Sequence, residues 1–141
     1  MKLLWQYSLP FQRLLMLLAL NCGFGKAEVS SLEIPEILIR RKHPRECEVG
    51  HASTEADSWI MRVRHKSSVY GEWKLWPETV RAIEWWLRQR ESIPGAANQS
   101  ALLLTGKGHP LDMPTKGNHP NMQIPNGWFQ LTKRVIADNP V

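Results

Sequence analysis

The clearest pattern of apolar and polar positions in this chain lies between residues 59 and 77, WIMRVRHKSSVYGEWKLWP. Its first arm, 59–64, alternates apolar with basic residues in its second half, which is the period of a half-buried strand. A serine pair and a glycine supply turn residues, so that 72–76 can return antiparallel to the first arm. The pattern therefore predicts a β-hairpin.

Three cations belong to this predicted hairpin: Arg62, Arg64 and Lys66. Side chains on a strand repeat every second residue, so the three are expected on one face of the ribbon. A row of cations on an exposed ribbon suits a phosphate backbone. We therefore take these three residues as the candidate DNA-phosphate contacts.

Helices are predicted on both sides of the hairpin. The clearest is 77–90, where Pro77 suits a first helical position and Glu78 complements the positive end of the helix dipole. A short helix fits 26–32, and a last helix is expected from a capping Asn126 to about residue 136. In the long helix, the basic residues outside the apolar stripe are expected on a solvated face: Arg81, Arg88 and Arg90.

Short apolar runs at 37–39 and 101–105 have the length of strands. Together with the hairpin and the helices they predict an α+β fold that is mainly helical and holds a small antiparallel sheet.

Residues 1–22 have two interpretations. A lysine at position 2 and the leucine-rich run 14–20 resemble a signal peptide. The alternative is a core helix from Pro10 to Asn21, ended by asparagine and glycine. Arg13 abuts the apolar run, which is shorter than the roughly 20 residues that cross a membrane. These features favour the core helix.

Segment 43–58 is polar and contains a proline and a glycine, so we interpret it as a solvated loop. His43, Cys47 and His51 are spaced four apart, which on a helix would place three metal ligands on one face. The proline and the glycine disfavour that helix, and no fourth ligand is evident. We therefore predict no metal site and no cofactor.

Composition limits the class of protein. The 141 residues suffice for one domain, and 43% apolar with 22% charged residues are typical of a folded chain. The net charge of +5 favours anionic partners such as nucleic acid. The two cysteines, Cys22 and Cys47, make no disulfide framework, so a reducing, cytoplasmic location is expected.

Two stretches resemble the catalytic domain of the tyrosine recombinases, the phage-integrase family. LLMLLALNCGFGKAEVSSL resembles its opening: a leucine-rich helix, a Gly-hydrophobic-Arg turn and a short helix with Glu and Leu. The family's Arg-x-Lys-Thr-Gly hairpin and the helix after it resemble the stretch RHKSSVYGEWKLWPETVRAIEWW. Its Leu-Trp-Pro-Glu-Thr-Val segment is similar in sequence to divergent integrase-like proteins of planctomycete bacteria. The resemblance covers 14–136, between a lead-in, 1–13, and a tail, 137–141.

This resemblance implies DNA strand exchange through a 3′-phosphotyrosine intermediate. A tyrosine attacks a phosphodiester, arginines with a His or Trp stabilise the developing charge, and the hairpin lysine protonates the departing 5′ oxygen. Carried over to this chain, the general acid is Lys66. A lysine at the tip of a ribbon is a suitable proton donor, since phosphoryl transfer depends on positioning and electrostatics.

The chain departs from the family pattern at several points. Gly25 stands where the first catalytic arginine is expected, and the adjacent Lys26 does not reproduce a bidentate guanidinium. The His-x-x-Arg motif is absent, and neither Tyr7 nor Tyr70 occupies the place of the nucleophile. We therefore expect a catalytically incomplete fragment of a recombinase catalytic domain.

The expected partner is double-stranded DNA, bound through phosphates and without sequence preference. No membrane partner is expected. A protein partner is expected to cover apolar surface around Trp85, Trp86 and Trp128. Two alternatives remain: a small exported protein with a non-enzymatic binding role, and a gene remnant without function.

Overall fold

The computed structural model describes residues 2–45, 54–64, 67–112 and 123–138. The described helices are α1 (Lys2–Tyr7), α2 (Pro10–Cys22), α3 (Lys26–Ser30), α4 (Pro77–Arg90) and α5 (Gln123–Asp138). The described strands are β1 (Ile37–Leu38), β2 (Trp59–Val63) and β3 (Tyr70–Lys74), in one antiparallel sheet of order β1-β2-β3. The predicted α+β class, mainly helical with a small antiparallel sheet, is confirmed.

Helix α2 is the core helix that the apolar stripe of residues 10–21 predicts. Leu14 and Leu18 are fully buried, and the side chain of Gln12 accepts the main-chain N–H of Leu9 at 2.8 Å to close the first turn. Gly23 ends the helix in the left-handed conformation, with φ 67°. In the part of the chain that the structure describes, no helix is both long and apolar enough to cross a membrane.

Helix α4 has the predicted bounds and packs against α2. The rings of Phe11 and Trp86 lie 4.9 Å apart between centroids, and the Trp86 indole N–H donates to the carbonyl of Leu102 at 2.7 Å. Asn21, at the end of α2, fixes the start of α4. Its Oδ1 accepts the N–H of Trp76 at 2.7 Å and the hydroxyl of Thr79 at 2.9 Å.

The hairpin is confirmed, with β2 and β3 paired so that Arg62 stands opposite Gly71. β1 pairs with the other edge of β2, Ile37 opposite Ile60, which confirms the strand expected at 37–39. Ile60 is fully buried and shares its strand face with Arg62, because side chains two apart point the same way. The face that carries the arginines is therefore the face that meets the core.

Helix α5 packs against the beginning of the chain. Leu131 is fully buried, and Gln12 links the two regions by donating to the carbonyl of Gly127 at 2.7 Å. Arg134 donates to the Oε1 atom of Gln12 at 3.0 Å. Helix α1 also contacts α5, and the boundary proposed between residues 13 and 14 falls inside α2.

Several details of the predicted secondary structure are wrong. The return arm of the hairpin is Tyr70–Lys74 and not 72–76, so Gly71 lies in β3 and not in the turn. The helix predicted at 26–32 ends at Ser30. Asn126 does not cap the last helix, which begins three residues earlier, at Gln123. The run 101–105 is not a strand but forms isolated bridges, Ala101 with Glu33 and Leu104 with Pro110. Its apolar side chains are nevertheless buried, because the run crosses the core beneath Trp86.

Candidate nucleic-acid interface

The predicted general acid, Lys66, lies outside the described residues, as does its neighbour His65. The structure describes the arm that leads to them and the arm that returns. Arg64 and Val69 close the arms by a main-chain hydrogen bond of 2.9 Å, from the N–H of Arg64 to the carbonyl of Val69. This hydrogen bond forms the base of the turn.

Arg62 is buried, with only 3% of its surface exposed, so the expectation of an exposed cation is wrong for this residue. Its Nη1 donates to the carbonyl of Glu28 at 2.7 Å and its Nη2 to the hydroxyl of Ser31 at 3.1 Å. Its Nε lies 3.4 Å from Oε1 of Glu36. These partners hold β2 against α3 and leave the guanidinium engaged within the fold.

Arg64 is partly exposed and forms a bidentate pair with Glu28. Its Nε donates to Oε1 at 2.5 Å and its Nη2 to Oε2 at 3.0 Å. The side chain of Arg64 keeps 37% of its surface exposed, whereas that of Glu28 keeps 11%. One edge of this guanidinium is thus bound by the carboxylate, and the residue remains open to solvent.

Glu28 is the residue that organises this region. Besides Arg64, its carboxylate accepts the N–H of Gly25 at 3.1 Å, which caps the first turn of α3. The hydrogen bond from Arg64 is the main cause that lowers the pKa of Glu28 from 4.5 to about 2, against the opposing effect of burial. The carboxylate is therefore charged at neutral pH.

Sequence reasoning did not identify Glu28 as a site residue. The spacing from Gly25 to Glu28 carried a local signal, since a glutamate at the third helical position reaches back to the residue before the helix. Its bond to Arg64 joins residues 36 apart in the sequence, and no local pattern reports such a pair. The sequence thus indicates that Glu28 caps α3 but not that it binds Arg64 of the hairpin.

Gly25, where the resemblance expects an arginine, borders this carboxylate. Its φ is not in the left-handed region, and a Cβ atom built on it meets no atom within 4 Å. The exposed Lys26 follows it at the start of α3. The turn and the arm leading to Lys66 are therefore brought together by Glu28.

Tyr70 lies at the start of β3 in a polar cluster on the hairpin. The guanidinium of Arg45 lies 4.7 Å from the centre of its ring, and its hydroxyl interacts with Glu72. Partial desolvation of the hydroxyl and then the hydrogen bond to Glu72 raise the pKa of Tyr70 above its usual value of 10.0. Both effects favour the neutral phenol over the phenolate.

His43 belongs to the same cluster and is buried, so the solvated-loop interpretation is wrong at this residue. Its Nε2 lies 2.8 Å from a carboxylate oxygen of Glu72, and its Nδ1 accepts the N–H of Arg45 at 3.1 Å. The other metal-ligand candidates, Cys47 and His51, lie outside the described residues. Within the described ranges no group of three His, Cys, Asp or Glu residues could hold a metal ion.

Two further sets of cations differ in their exposure and pairing. Arg90, expected on a solvated face, is buried and donates to the carbonyls of Gln99 and Ala101 at 2.5 and 2.9 Å. Burial lowers the pKa of Arg90 from its usual value. Other cations are exposed and form no ion pair with another described residue: Lys2, Lys26, Arg41, Lys42, Arg88, Lys107 and Lys133.

The tryptophans expected to leave apolar surface uncovered are largely packed. Trp86 is buried, whereas Trp85 and Trp128 are partly buried against the core. The more exposed apolar residues of the hairpin are Val63, Val69 and Tyr70. Further exposed apolar side chains lie elsewhere among the described residues: Trp5, Leu9, Leu20, Trp76, Phe129 and Ile136.

Comparisons of the chain with protein-family models, with curated proteins and with solved structures found no match.

Proposed function

We propose that this chain is a duplex-DNA-binding fragment of the tyrosine-recombinase type, without strand-exchange chemistry of its own. The observation that supports this proposal is the double use of Glu28. One carboxylate binds the N–H of Gly25 and the guanidinium of Arg64. The turn that resembles the family's arginine turn thereby stands beside the arm that leads to the hairpin lysine.

In this proposal the phosphate contacts come from cations around that carboxylate. Arg64 is partly exposed and Lys26 is exposed without an ion pair to another described residue. Lys66 joins them on the sequence resemblance. Arg62 takes a positioning role, since its buried guanidinium binds α3 and orients the strand.

Strand exchange is not part of the proposal. Gly25 supplies no guanidinium, and arginine contributes bidentate hydrogen bonds that a neighbouring lysine does not replace. Tyr70 lies at the start of β3, where Arg45 stacks on its ring and Glu72 engages its hydroxyl. Tyr7 lies in α1. Removal of one donor to a developing oxyanion typically costs about 2.7–4 kcal/mol of transition-state stabilisation.

The proposal is tested by measuring duplex binding as a function of salt. Fluorescence anisotropy with a labelled duplex should show affinity that falls as salt rises, because each neutralised phosphate contributes about 0.9 to the log–log slope. Replacing both Lys26 and Lys66 by glutamine should reduce that slope by up to about 1.8.

The matched control is the double variant Arg88→Gln/Lys107→Gln, which removes the same charge from two exposed residues elsewhere. It should change the slope of the salt dependence less than the replacement of Lys26 and Lys66 does. Equal losses in the two variants would mean that net charge alone governs binding. Absent or salt-independent binding in dilute buffer would contradict the proposal.

A further inference from the structure

A groove at the open end of the hairpin is lined by cations from three parts of the chain. Arg40 follows β1, Lys74 ends β3, and Arg81 lies in the second turn of α4. The groove encloses about 320 Å³. The other lining residues are Ala56, Asp57, Ser58, Leu75, Pro77 and Val80.

The lining residues carry three cations and the carboxylate of Asp57, or 3 − 1 = +2. Glu84 and Glu78 pair with two of these cations from outside the lining and bring the local charge to zero. Each cation has a carboxylate partner, but each cationic side chain is more than half exposed. Arginine has five N–H donors and lysine three, so each cation retains solvent-facing donors beyond those that its carboxylate binds, and these donors can bind an anion. The pairs are Arg40 with Glu84, Lys74 with Asp57, and Arg81 with Glu78.

The main chain holds Arg40 at the rim of the groove. Its N–H donates to the hydroxyl of the buried Ser58 at 2.9 Å, and the N–H of Arg41 donates to the carbonyl of Asp57 at 2.9 Å. These bonds keep Arg40 in the left-handed conformation, with φ 48°, which residues with a side chain seldom adopt. Two tethers therefore fix the base of this arginine.

We propose that this groove binds a phosphate group. A tetrahedral phosphate offers acceptor oxygens in several directions, which suits donors that arrive from three separate elements. Arginine binds phosphate oxygens in a bidentate manner, and lysine adds a compact charge. The volume lies at the lower end of the roughly 300–1,000 Å³ of small-molecule pockets.

This site is separate from the DNA contact proposed at the turn. Lys74 and Tyr70 lie at opposite ends of β3, four residues apart, or about 13 Å at 3.3 Å per residue. One phosphate cannot reach both ends. The phosphate in the groove can belong to a bound duplex or to a free phosphate compound, and both sources present the same oxygens.

The site is tested by titrating the isotope-labelled full chain with inorganic pyrophosphate at constant ionic strength. Saturable changes in amide chemical shifts are expected around Arg40, Ser58 and Lys74. The variant Arg40→Gln/Lys74→Gln should bind at least about tenfold more weakly, as expected when two charge-assisted contacts are lost. The control Arg88→Gln/Lys107→Gln should stay within about twofold of the original chain, since surface changes away from the groove leave its donors intact.

Two results would overturn the proposal: shifts that sodium chloride reproduces at the same ionic strength, and equal weakening in both double variants. A labelled duplex then separates the two sources of phosphate. If the groove takes a duplex phosphate, Arg40→Gln/Lys74→Gln weakens duplex binding and pyrophosphate competes with the duplex. If it takes a free compound, only pyrophosphate binding is lost.

The two proposals can fail independently. If the original chain does not bind pyrophosphate, the phosphate-site proposal is wrong. Duplex binding at the turn is still tested by the variant that replaces Lys26 and Lys66. Conversely, pyrophosphate binding without any duplex binding leaves the groove established and contradicts the DNA proposal.

Discussion

Glu28 connects three parts of the chain through one residue. Its carboxylate holds the Gly25 turn and the Arg64 guanidinium, and its main-chain carbonyl accepts Arg62 at 2.7 Å. This carbonyl is a partner for the buried guanidinium of Arg62, which the alternating pattern of β2 predicts to be exposed. The network depends on the carboxylate remaining charged.

Replacing Glu28 by glutamine should lower the free energy of unfolding by about 1–3 kcal/mol, because Arg64 loses its charged partner and the partly buried site is left poorly paired. Urea unfolding at neutral pH measures the change. Glu55→Gln makes the same chemical change at an exposed turn and should shift stability by less than about 0.5 kcal/mol. Equal effects of the two variants would contradict the role given to Glu28.

The pH dependence follows from the direction of the Glu28 shift. Its pKa is lowered from 4.5 to about 2 in the folded chain, so the unfolded chain binds the proton more readily. The stabilisation from Glu28 is therefore complete above pH 4.5 and is lost as the pH falls towards 2. Urea unfolding between pH 6 and about pH 3 should show a steeper loss in the original chain than in Glu28→Gln. Parallel curves would contradict this assignment.

Gly25 accepts a longer side chain, since no atom lies within 4 Å of an added Cβ. Gly25→Arg should fold with stability within about 1 kcal/mol of the original chain, as its backbone is not left-handed. It should also tighten duplex binding and steepen the salt slope by about 0.9. Gly106→Arg adds the same charge at another open glycine. If both variants tighten binding equally, the turn has no special relation to DNA.

The sequence allowed only part of this site to be predicted. The cations of the first arm were identified, but two-residue periodicity does not say which face of β2 meets the core. Trp59 and Ile60 are adjacent and both buried, so the apolar pattern favours neither face. Arg62 is buried because Glu28, 34 residues earlier, supplies a carbonyl acceptor there.

At the scale of elements, Asn21 connects α2, β3 and α4. Its amide donates to the carbonyl of Lys74 at 3.0 Å, while its Oδ1 serves Trp76 and Thr79. The capping residue of α4, Trp76, has no side-chain oxygen that could accept a hydrogen bond at the start of the helix, and Asn21 supplies one. One side chain thus fixes where the hairpin ends and the helix begins.

Asn21→Ala should lower the free energy of unfolding by about 1–3 kcal/mol, because the fully buried hydroxyl of Thr79 and the N–H of Trp76 lose their acceptor. Thermal unfolding followed by circular dichroism measures the loss. Asn98→Ala removes an exposed asparagine and serves as the control, with a change below about 0.5 kcal/mol. A neutral Asn21→Ala would show that α4 needs no acceptor at its start.

The bounds of α2 and α4 were predictable because proline and glycine mark them locally. Pro10 and Pro77 each occupy a first helical position, and Gly23 has the positive φ that a helix end requires. The start of α5 was missed, since Asn126 carries a capping signal but lies inside the helix. Helix α5 contacts α1 and is hydrogen-bonded to Gln12 of α2, and such tertiary contacts are not visible in a local capping pattern.

At the scale of the whole molecule, α5 completes the core that α2 begins. Leu131 is 0% exposed, whereas Ile136 on the same helix is 68% exposed. Gln12 ties the helix to the start of the chain through Gly127 and Arg134. The two ends of the chain therefore share one hydrophobic core.

Leu131→Ala should lower the free energy of unfolding of the whole chain by about 2–5 kcal/mol, since it leaves a cavity in place of a fully buried side chain. Tryptophan fluorescence and circular dichroism should report the same shifted transition. Ile136→Ala, on the exposed side of α5, should cost less than about 0.5 kcal/mol. If the loss is confined to α5 while Trp86 keeps its original transition, the helix is not part of one cooperative unit.

The bond between Gln12 and Gly127 also bears on the order of events during synthesis. Its two residues are separated by 115 positions, so α2 leaves the ribosome long before its partner exists. At roughly 5–20 residues per second, the wait for these 115 residues is on the order of 6–23 s. During that interval the leucines of α2 lack the contacts that Ile124 and Trp128 of α5 add to their hydrophobic cluster.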